Sequence, residues 1–219
     1  MKLKKNHKLI IAADGSASSG KTTGAKLIAQ KYGMKFLSSG LLYRYASFKL
    51  LKFKPKDQIT FLKKTFKNLS LKRLRKNNLH SPRSSAHTSI IAKQQKIRNI
   101  LKIFQIKFAK KYNKVVIEGR DIQTKILPNA DIKFFFKCNL NTASRRRFKE
   151  LKKRNKSIKL KEVKKAMRIR DNLDKKRKIS PLTQAKNAVI VQSDKLNIKD
   201  MIVKMSKVVD KRIKEKYGH

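Results

Sequence analysis

The sequence predicts an α/β protein, a three-layer α/β/α domain on a five-stranded parallel sheet. Three observations carry this. Short β-branched or aromatic apolar runs alternate with longer stretches of helical period, the pattern of a parallel sheet covered on both faces. The first apolar run, Lys8 to Asp14, passes directly into Gly15-Ser16-Ala17-Ser18-Ser19-Gly20-Lys21-Thr22. And 219 residues suffice to close one core, as a single domain with insertions.

That loop reads G-x-x-x-x-G-K-[ST] between a buried strand and a helix, whose apolar stripe is Ala25, Leu27, Ile28 and Ala29. In this context it is a phosphate loop. Gly15 and Gly20 let the backbone turn its N–H groups inward, and the helix N-terminus adds partial positive charge. Gly15, Ser16, Ala17, Ser18, Ser19, Gly20, Lys21, Thr22 and Thr23 are therefore the expected triphosphate-binding residues. Lys21 would reach the outer phosphates, and the Thr22 hydroxyl would meet a magnesium ion.

Met34 to Leu37 reads as a short strand, and Ser38-Ser39-Gly40-Leu41-Leu42-Tyr43-Arg44 as a helix start. Arg44 would face the crevice beyond the strand ends, where open α/β sheets bind ligands. On bland readings Ser39 is an N-cap and Arg44 a surface cation. The Lys-rich stretch from Lys52 to about Ser85, broken by Pro55 and Pro82, is expected to be an insertion of helical turns. His80 and His87 lack metal-ligand spacing and read as surface residues. From Ser89 to about Lys110, the apolar positions Ile90, Ile91, Ile97, Ile100, Leu101, Phe104 and Phe108 predict one long amphipathic helix carrying a lone arginine, Arg98.

Lys114 to Ile117 is a buried strand ending in Glu118-Gly119-Arg120-Asp121. An acid at the tip of a strand beside a phosphate loop commonly serves magnesium, so Glu118 is the candidate. Arg120-Asp121 could be a surface ion pair worth little, but its strand-end position favours function. Ile132 to Phe136 is another buried strand. Cys138 follows it and is expected to be a buried, inert thiol. Asn141 to Lys153 predicts a helix whose Arg145, Arg146 and Arg147 spread over roughly 200° of its surface, so at most two face one ligand. After a charged segment without apolar pattern, a helix from Leu160 to Lys176 brings Arg170, Asp174 and Arg177 to one face. Ala188 to Val191 is the last strand and Ile198 to Lys214 a closing helix.

The net charge of +47 would draw any polyanion, and non-specific polyanion contact is expected from it. Yet 46 lysines and 14 arginines run from end to end, without a basic tail or aromatic-basic stacking pattern. Lysine is this chain's default polar filler. An arginine therefore marks a place where a planar, bidentate fork is needed. One cysteine excludes an internal disulfide and any multi-cysteine metal site. No apolar run reaches membrane-spanning length and no signal-peptide h-region follows the Lys-rich start, so a cytoplasmic protein with no membrane role is expected.

Several separated motifs resemble those of the bacterial cytidylate kinases, in the nucleoside monophosphate kinase family of P-loop kinases. The opening Asp14-Gly15…Gly20-Lys21 matches that family's loop, and Ser38-Ser39-Gly40-Leu41-Leu42-Tyr43-Arg44 its D-S-G-x-x-Y-R, with Ser38 for the usual Asp. Glu118-Gly119-Arg120-Asp121 resembles its D/E-G-R-D. Arg170-Asp171…Asp174…Arg177, then Pro181-Leu182, resembles its R-D-x-x-D-x-x-R-x-x-x-P-L. The resemblance covers nearly the whole chain. It implies a P-loop NTPase fold with a core of about 1–51, 111–150 and 178–219, an NMP-binding insert of about 52–110 and a lid of about 151–177.

By the same resemblance, the γ-phosphoryl of ATP passes to CMP or dCMP with magnesium, in pyrimidine nucleotide metabolism; a monomer is expected. Lys21, Arg120, Arg170 and Arg177 would be the catalytic residues. Ser39, Arg44 and Arg120 would hold the acceptor's phosphate end; Ser89, Arg98 and Asp121 would read the cytosine edge. Arg170 and Asp174 would hold the sugar, and Arg177 would close from the lid onto the phosphates. The short insert implies looser base selectivity. Ala143 and Leu173 stand where the family usually or often has arginines, leaving Arg146, Arg147 or a lid lysine to compensate. The alternatives are a P-loop kinase of another acceptor, such as UMP, AMP or a small metabolite, and a basic nucleic-acid-binding ATPase. No N-K-x-D motif follows the loop, so a GTPase is not expected.

Overall fold

A computed structural model describes residues 3–4, 6–76, 79, 82–153 and 156–218. His80, and Arg154 and Asn155 of the charged segment, lie outside the described residues. The chain forms two compact units, one of Met1–Leu37 with Tyr112–His219, the other of Ser38–Lys111.

The first unit holds β1 (Leu9–Gly15), α1 (Lys21–Lys31) and nearly all of β2 (Lys35–Ser38). The second holds α2 (Ser39–Phe53), α3 (Gln58–Lys67), α4 (Leu71–Lys76), α5 (Pro82–Ile91) and α6 (Gln95–Lys111). The first resumes with β3 (Lys114–Gly119), a π-turn at Ile122–Ile126, β4 (Ile132–Lys137), α7 (Leu140–Lys152), α8 (Leu160–Lys176), β5 (Val189–Gln192) and α9 (Ile198–Tyr217).

The five strands form one parallel sheet in the order β2-β3-β1-β4-β5. After β3 the chain crosses β1 to reach β4, so the topological switch falls at β1, the strand that carries the phosphate loop. Leu9, Ile11 and Ala13 of β1 join Val116, Phe134, Phe136 and Val191 on one face. Ala25, Ile28 and Ala29 of α1 and Met201, Met205, Val209 and Ile213 of α9 cover it. The buried stripe of α1 includes Gly24 rather than Leu27, because spacing of 24/25/28/29 keeps one face toward Phe136. A Cβ on Gly24 would lie 2.9 Å from the Phe136 ring.

In the second unit the single helix expected from Ser89 to Lys110 is two. Turn-like bonds from Lys93 N to Ile90 O and Gln94 N to Ile91 O end α5, and Arg98 Nη1 donates to the freed Ala92 carbonyl at 3.0 Å. Ile91 is buried while its neighbour Ile90 is 58% exposed, so the two belong to different faces. His87 is not a surface residue: it is half-buried, and its Nδ1 shares a 3.0 Å hydrogen bond with Ser47 Oγ. Cys138, one residue past β4, is only half-buried, beside Arg146 Nη1 at 3.7 Å, and burial pushes its thiol up. Among the described residues no helix is long and apolar enough to cross a membrane.

Candidate active site

The site grows from the carboxyl ends of β1 and β3, held in register by Ala13 opposite Glu118 and Asp14 opposite Gly119. Beyond β1 the loop turns sharply, with Ser18 at φ 51° and Gly20 at φ 78°. These left-handed residues alternate with ordinary ones, the geometry that directs successive N–H groups into one concavity. Side-chain room is absent at Gly15, where a Cβ would meet Phe136 O at 2.6 Å. Ser19 is fully buried, and its Oγ has no hydrogen-bond partner among the described residues.

Lys21, the first residue of α1, is buried and its Nζ donates to Ser16 O at 3.0 Å. Burial first, and then the neighbouring Arg120, push its ammonium down from 10.5 to about 7; Glu118 opposes them. Thr22 and Thr23 follow on the exposed side of the first turn, and Glu118 is buried at the penultimate position of β3.

Arg120 and Asp121 follow β3 directly. Arg120 Nε donates to Asp174 Oδ2 at 2.9 Å. Arg177 lies 3.5 Å from Asp174 Oδ1 and 3.9 Å from Asp121 Oδ1. It stands one residue past the end of α8, yet still meets Asp174, three residues back, on the side that spacing predicted. Arg177 is the C-cap, with extended ψ of 138°, and its guanidinium lies between Asp174, Asp121 and Ser180, donating from Nε to the Ser180 carbonyl. Arg170 shares this field: burial and then Arg120 lower its pKa, while Asp174 opposes. Burial alone would raise the Asp174 carboxyl, but the guanidiniums of Arg120, Arg170 and Arg177 outweigh it and hold the group below 3.8.

Of the first unit's expected site residues, Lys21, Glu118, Arg120, Asp121, Arg170, Asp174 and Arg177 are thus brought together. In the second unit, Ser39 is buried in the first turn of α2 and Arg44 half-buried one turn on. The N-cap is Ser38, so Ser39 does not have the bland capping role. Arg98 is buried, with its guanidinium over the Tyr43 ring at 5.6 Å and donating to Ala92 O. Ser89, half-buried, lies on α5 and Arg98 on α6.

Two acidic residues have roles that spacing did not reveal. Asp14 is fully buried and accepts from Ile122 N at 3.0 Å and Gln123 N at 2.8 Å, fixing the turn that follows Arg120-Asp121. Asp171 Oδ1 accepts from Ala17 N, in the phosphate loop, at 3.0 Å. Each belongs to a motif quoted above, Asp14 to the loop's opening and Asp171 to the Arg-Asp pair of α8, but the motifs gave neither a role. Ala143 is buried with Ala17, Val163 and Met167. Arg146 donates to Ser193 O at 2.6 Å and Ser193 Oγ at 3.1 Å, while Arg147 pairs with Glu150 at 2.9 Å. Leu173 is 42% exposed.

Comparison with known proteins gives a consistent picture. The sequence model of the cytidylate kinase family matches residues 11–211. A cytidylate kinase of Thermosipho melanesiensis is 34% identical over 214 residues, 93% of this chain and 98% of that one. One from Clostridium botulinum (strain Okra) is 32% identical over 213 residues, 92% and 97% of the two chains. Among solved structures, shikimate kinase from Bacteroides thetaiotaomicron superposes with a TM-score of 0.52 at 13% identity, over 92% of this chain and 98% of that one, a likeness of fold.

Proposed function

The chain belongs to the cytidylate kinase family, as an ATP-dependent nucleoside monophosphate kinase, and on that premise we propose that it transfers the γ-phosphoryl of ATP to CMP or dCMP. An oxygen of the acceptor's phosphate forms the new bond to the γ-phosphorus. The bond from that phosphorus to the bridging oxygen of ADP breaks, giving CDP or dCDP. The attacking oxygen is already anionic, so no general base is needed, and the work is positioning and charge neutralisation.

One observation supports this above the others: Arg120 at 2.9 Å and Arg177 at 3.5 Å flank the carboxylate of Asp174, with Arg170 and Lys21 in the same electrostatic field. Such a set suits two polyphosphate tails that must be brought end to end. Loop residues Gly15 to Thr23 would bind ATP, with Lys21 on its outer phosphates. Arg120 and Arg177 would grip the transferred group, while Arg170 and Asp174 would hold the acceptor's sugar. Ser39 and Arg44 would hold the acceptor's phosphate, and Ser89, Arg98 and Asp121 its base.

The donor set suits magnesium, a hard ion that keeps waters and phosphate oxygens as ligands. Thr22 and Glu118 offer oxygen alone, and among the described residues no cluster of three or more His, Cys, Asp or Glu exists to capture a softer metal. When bound, the ion neutralises phosphate charge; Thr22 and Glu118 would hold it, Glu118 directly or through water. We place the enzyme in the cytoplasm as a monomer of pyrimidine nucleotide metabolism, with residues 52–110 as acceptor-binding insert and 151–177 as lid.

An acceptor panel tests the reading. Purified protein with ATP and magnesium should form ADP fastest with CMP or dCMP, and slower with UMP and AMP. No ADP above background with either cytidine nucleotide would end the proposal, and faster turnover of UMP or AMP would reassign the acceptor.

A further inference from the structure

The N–H of Ala17 belongs to a loop built to receive the oxygens of an anion, and it already donates to one. Its partner is Asp171 Oδ1, at 3.0 Å, from a residue 154 positions later on α8. The contact is not a lone polar bond. The Ala17 side chain is 9% exposed and packs in a cluster with Val163 and Met167 of α8 and Ala143 of α7. Loop tip and α8 are therefore joined twice, by an apolar contact and by a carboxylate on a backbone amide. A carboxylate oxygen and a phosphate oxygen seek the same donor, and their like charges repel. Both cannot hold Ala17 N–H together.

We propose that Asp171 is an internal stand-in for phosphate, holding α8 on the phosphate loop until ATP displaces it. This deepens the reading above and rests on it, since it requires the triphosphate to occupy the Gly15–Thr22 loop. Asp171 touches the loop rather than the reacting atoms, so it is a positioning residue. The fraction of molecules with Ala17 N–H occupied is unavailable to ATP, and apparent affinity falls by that fraction. In exchange, the loop keeps its donor satisfied and α8 keeps its apolar contact when no nucleotide is present. Displacement frees α8 to carry Arg170 and Asp174 as the site fills.

The test compares equilibrium binding of ATP, by calorimetry without acceptor, to wild type, Asp171→Asn, Asp171→Ala and Lys21→Ala. Asn keeps the shape and removes the charge, so it carries the test even where Ala disturbs the fold. Both Asp171 variants should bind ATP more tightly, by about tenfold, the worth of one competing hydrogen bond to a charged group. KM for ATP should fall while KM for CMP holds. Hydrogen exchange of the peptide containing Ala17 should quicken in Asp171→Asn without nucleotide and return to the wild-type rate with ATP. A merely structural tie predicts the reverse, weaker ATP binding in both variants. Unchanged or weaker binding in Asp171→Asn, with Lys21→Ala impaired, would overturn the latch alone. Wild-type ATP affinity in Lys21→Ala would overturn both the latch and the placing of ATP at this loop.

Discussion

Arg120 Nε and Asp174 Oδ2, 54 residues apart, meet at 2.9 Å and join the end of β3 to α8. Both side chains are mostly buried, at 16% and 17% exposure, so the pair is more than a solvated surface contact. With phosphates present, a fork already held in place costs little further ordering. Arg120→Ala should lower kcat/KM by about a hundredfold or more, and Arg120→Lys should recover only part of it, because an ammonium cannot bridge two oxygens. Steady-state kinetics on both variants decide this; a loss under about tenfold would remove Arg120 from the transition state.

Lys21 gives the site a pH signature. Burial, reinforced by Arg120, lowers its ammonium to about 7 in the free protein. Triphosphate beside it favours the charged form, so ATP should bind with uptake of a proton above about pH 7. Calorimetry at pH 8 in buffers of different ionisation enthalpy should show the uptake. Lys21→Arg, charged throughout, should lose it.

Asp14 makes stability depend on pH in the sense opposite to most carboxylates. Burial outweighs its two amide hydrogen bonds and raises it from 3.8 to about 7. A folded pKa above the unfolded one contributes stability that is fully present below about pH 4 and lost as pH rises through about 7. Urea midpoints should fall over this window in wild type, and fall less in Asp14→Asn. At about pH 4 that variant should also be less stable by about 1–3 kcal/mol, since Ile122 N and Gln123 N donate to separate oxygens of Asp14 and an Asn has only one to offer.

Gly24→Ala tests the packing of α1 on the sheet. The added methyl would meet the Phe136 ring at 2.9 Å and Met205 Sδ at 3.2 Å. The sulfur can yield; the ring, 1% exposed, cannot. Overpacking of about 1–3 kcal/mol should outweigh the roughly 1 kcal/mol gained in helix propensity, giving a net loss in urea unfolding.

The phosphate loop, the strand ends and most helices were legible because each depends on neighbours within a few residues. A loop cradles phosphate with consecutive backbone amides, and a buried strand announces itself by β-branched residues in a row. The long helix expected from Ser89 to Lys110 failed for a related reason. Ile90 and Ile91 both count as apolar, yet only the fold shows that one of them faces outward. His87 looked solitary because its partner, Ser47, lies 40 residues earlier.

What the sequence determined by itself was the set of donors and forks: a G-x-x-x-x-G-K-T turn after a strand, and arginines placed where lysine was the default. What only tertiary structure decided was which groups meet. Asp171 on Ala17 spans 154 residues, Asp14 on Gln123 spans 109, and Arg177, at the C-cap of α8, lies 3.9 Å from Asp121 beyond β3. Contacts of that separation leave no trace in spacing, because the sheet register and the path of α8, rather than chain order, bring them within reach.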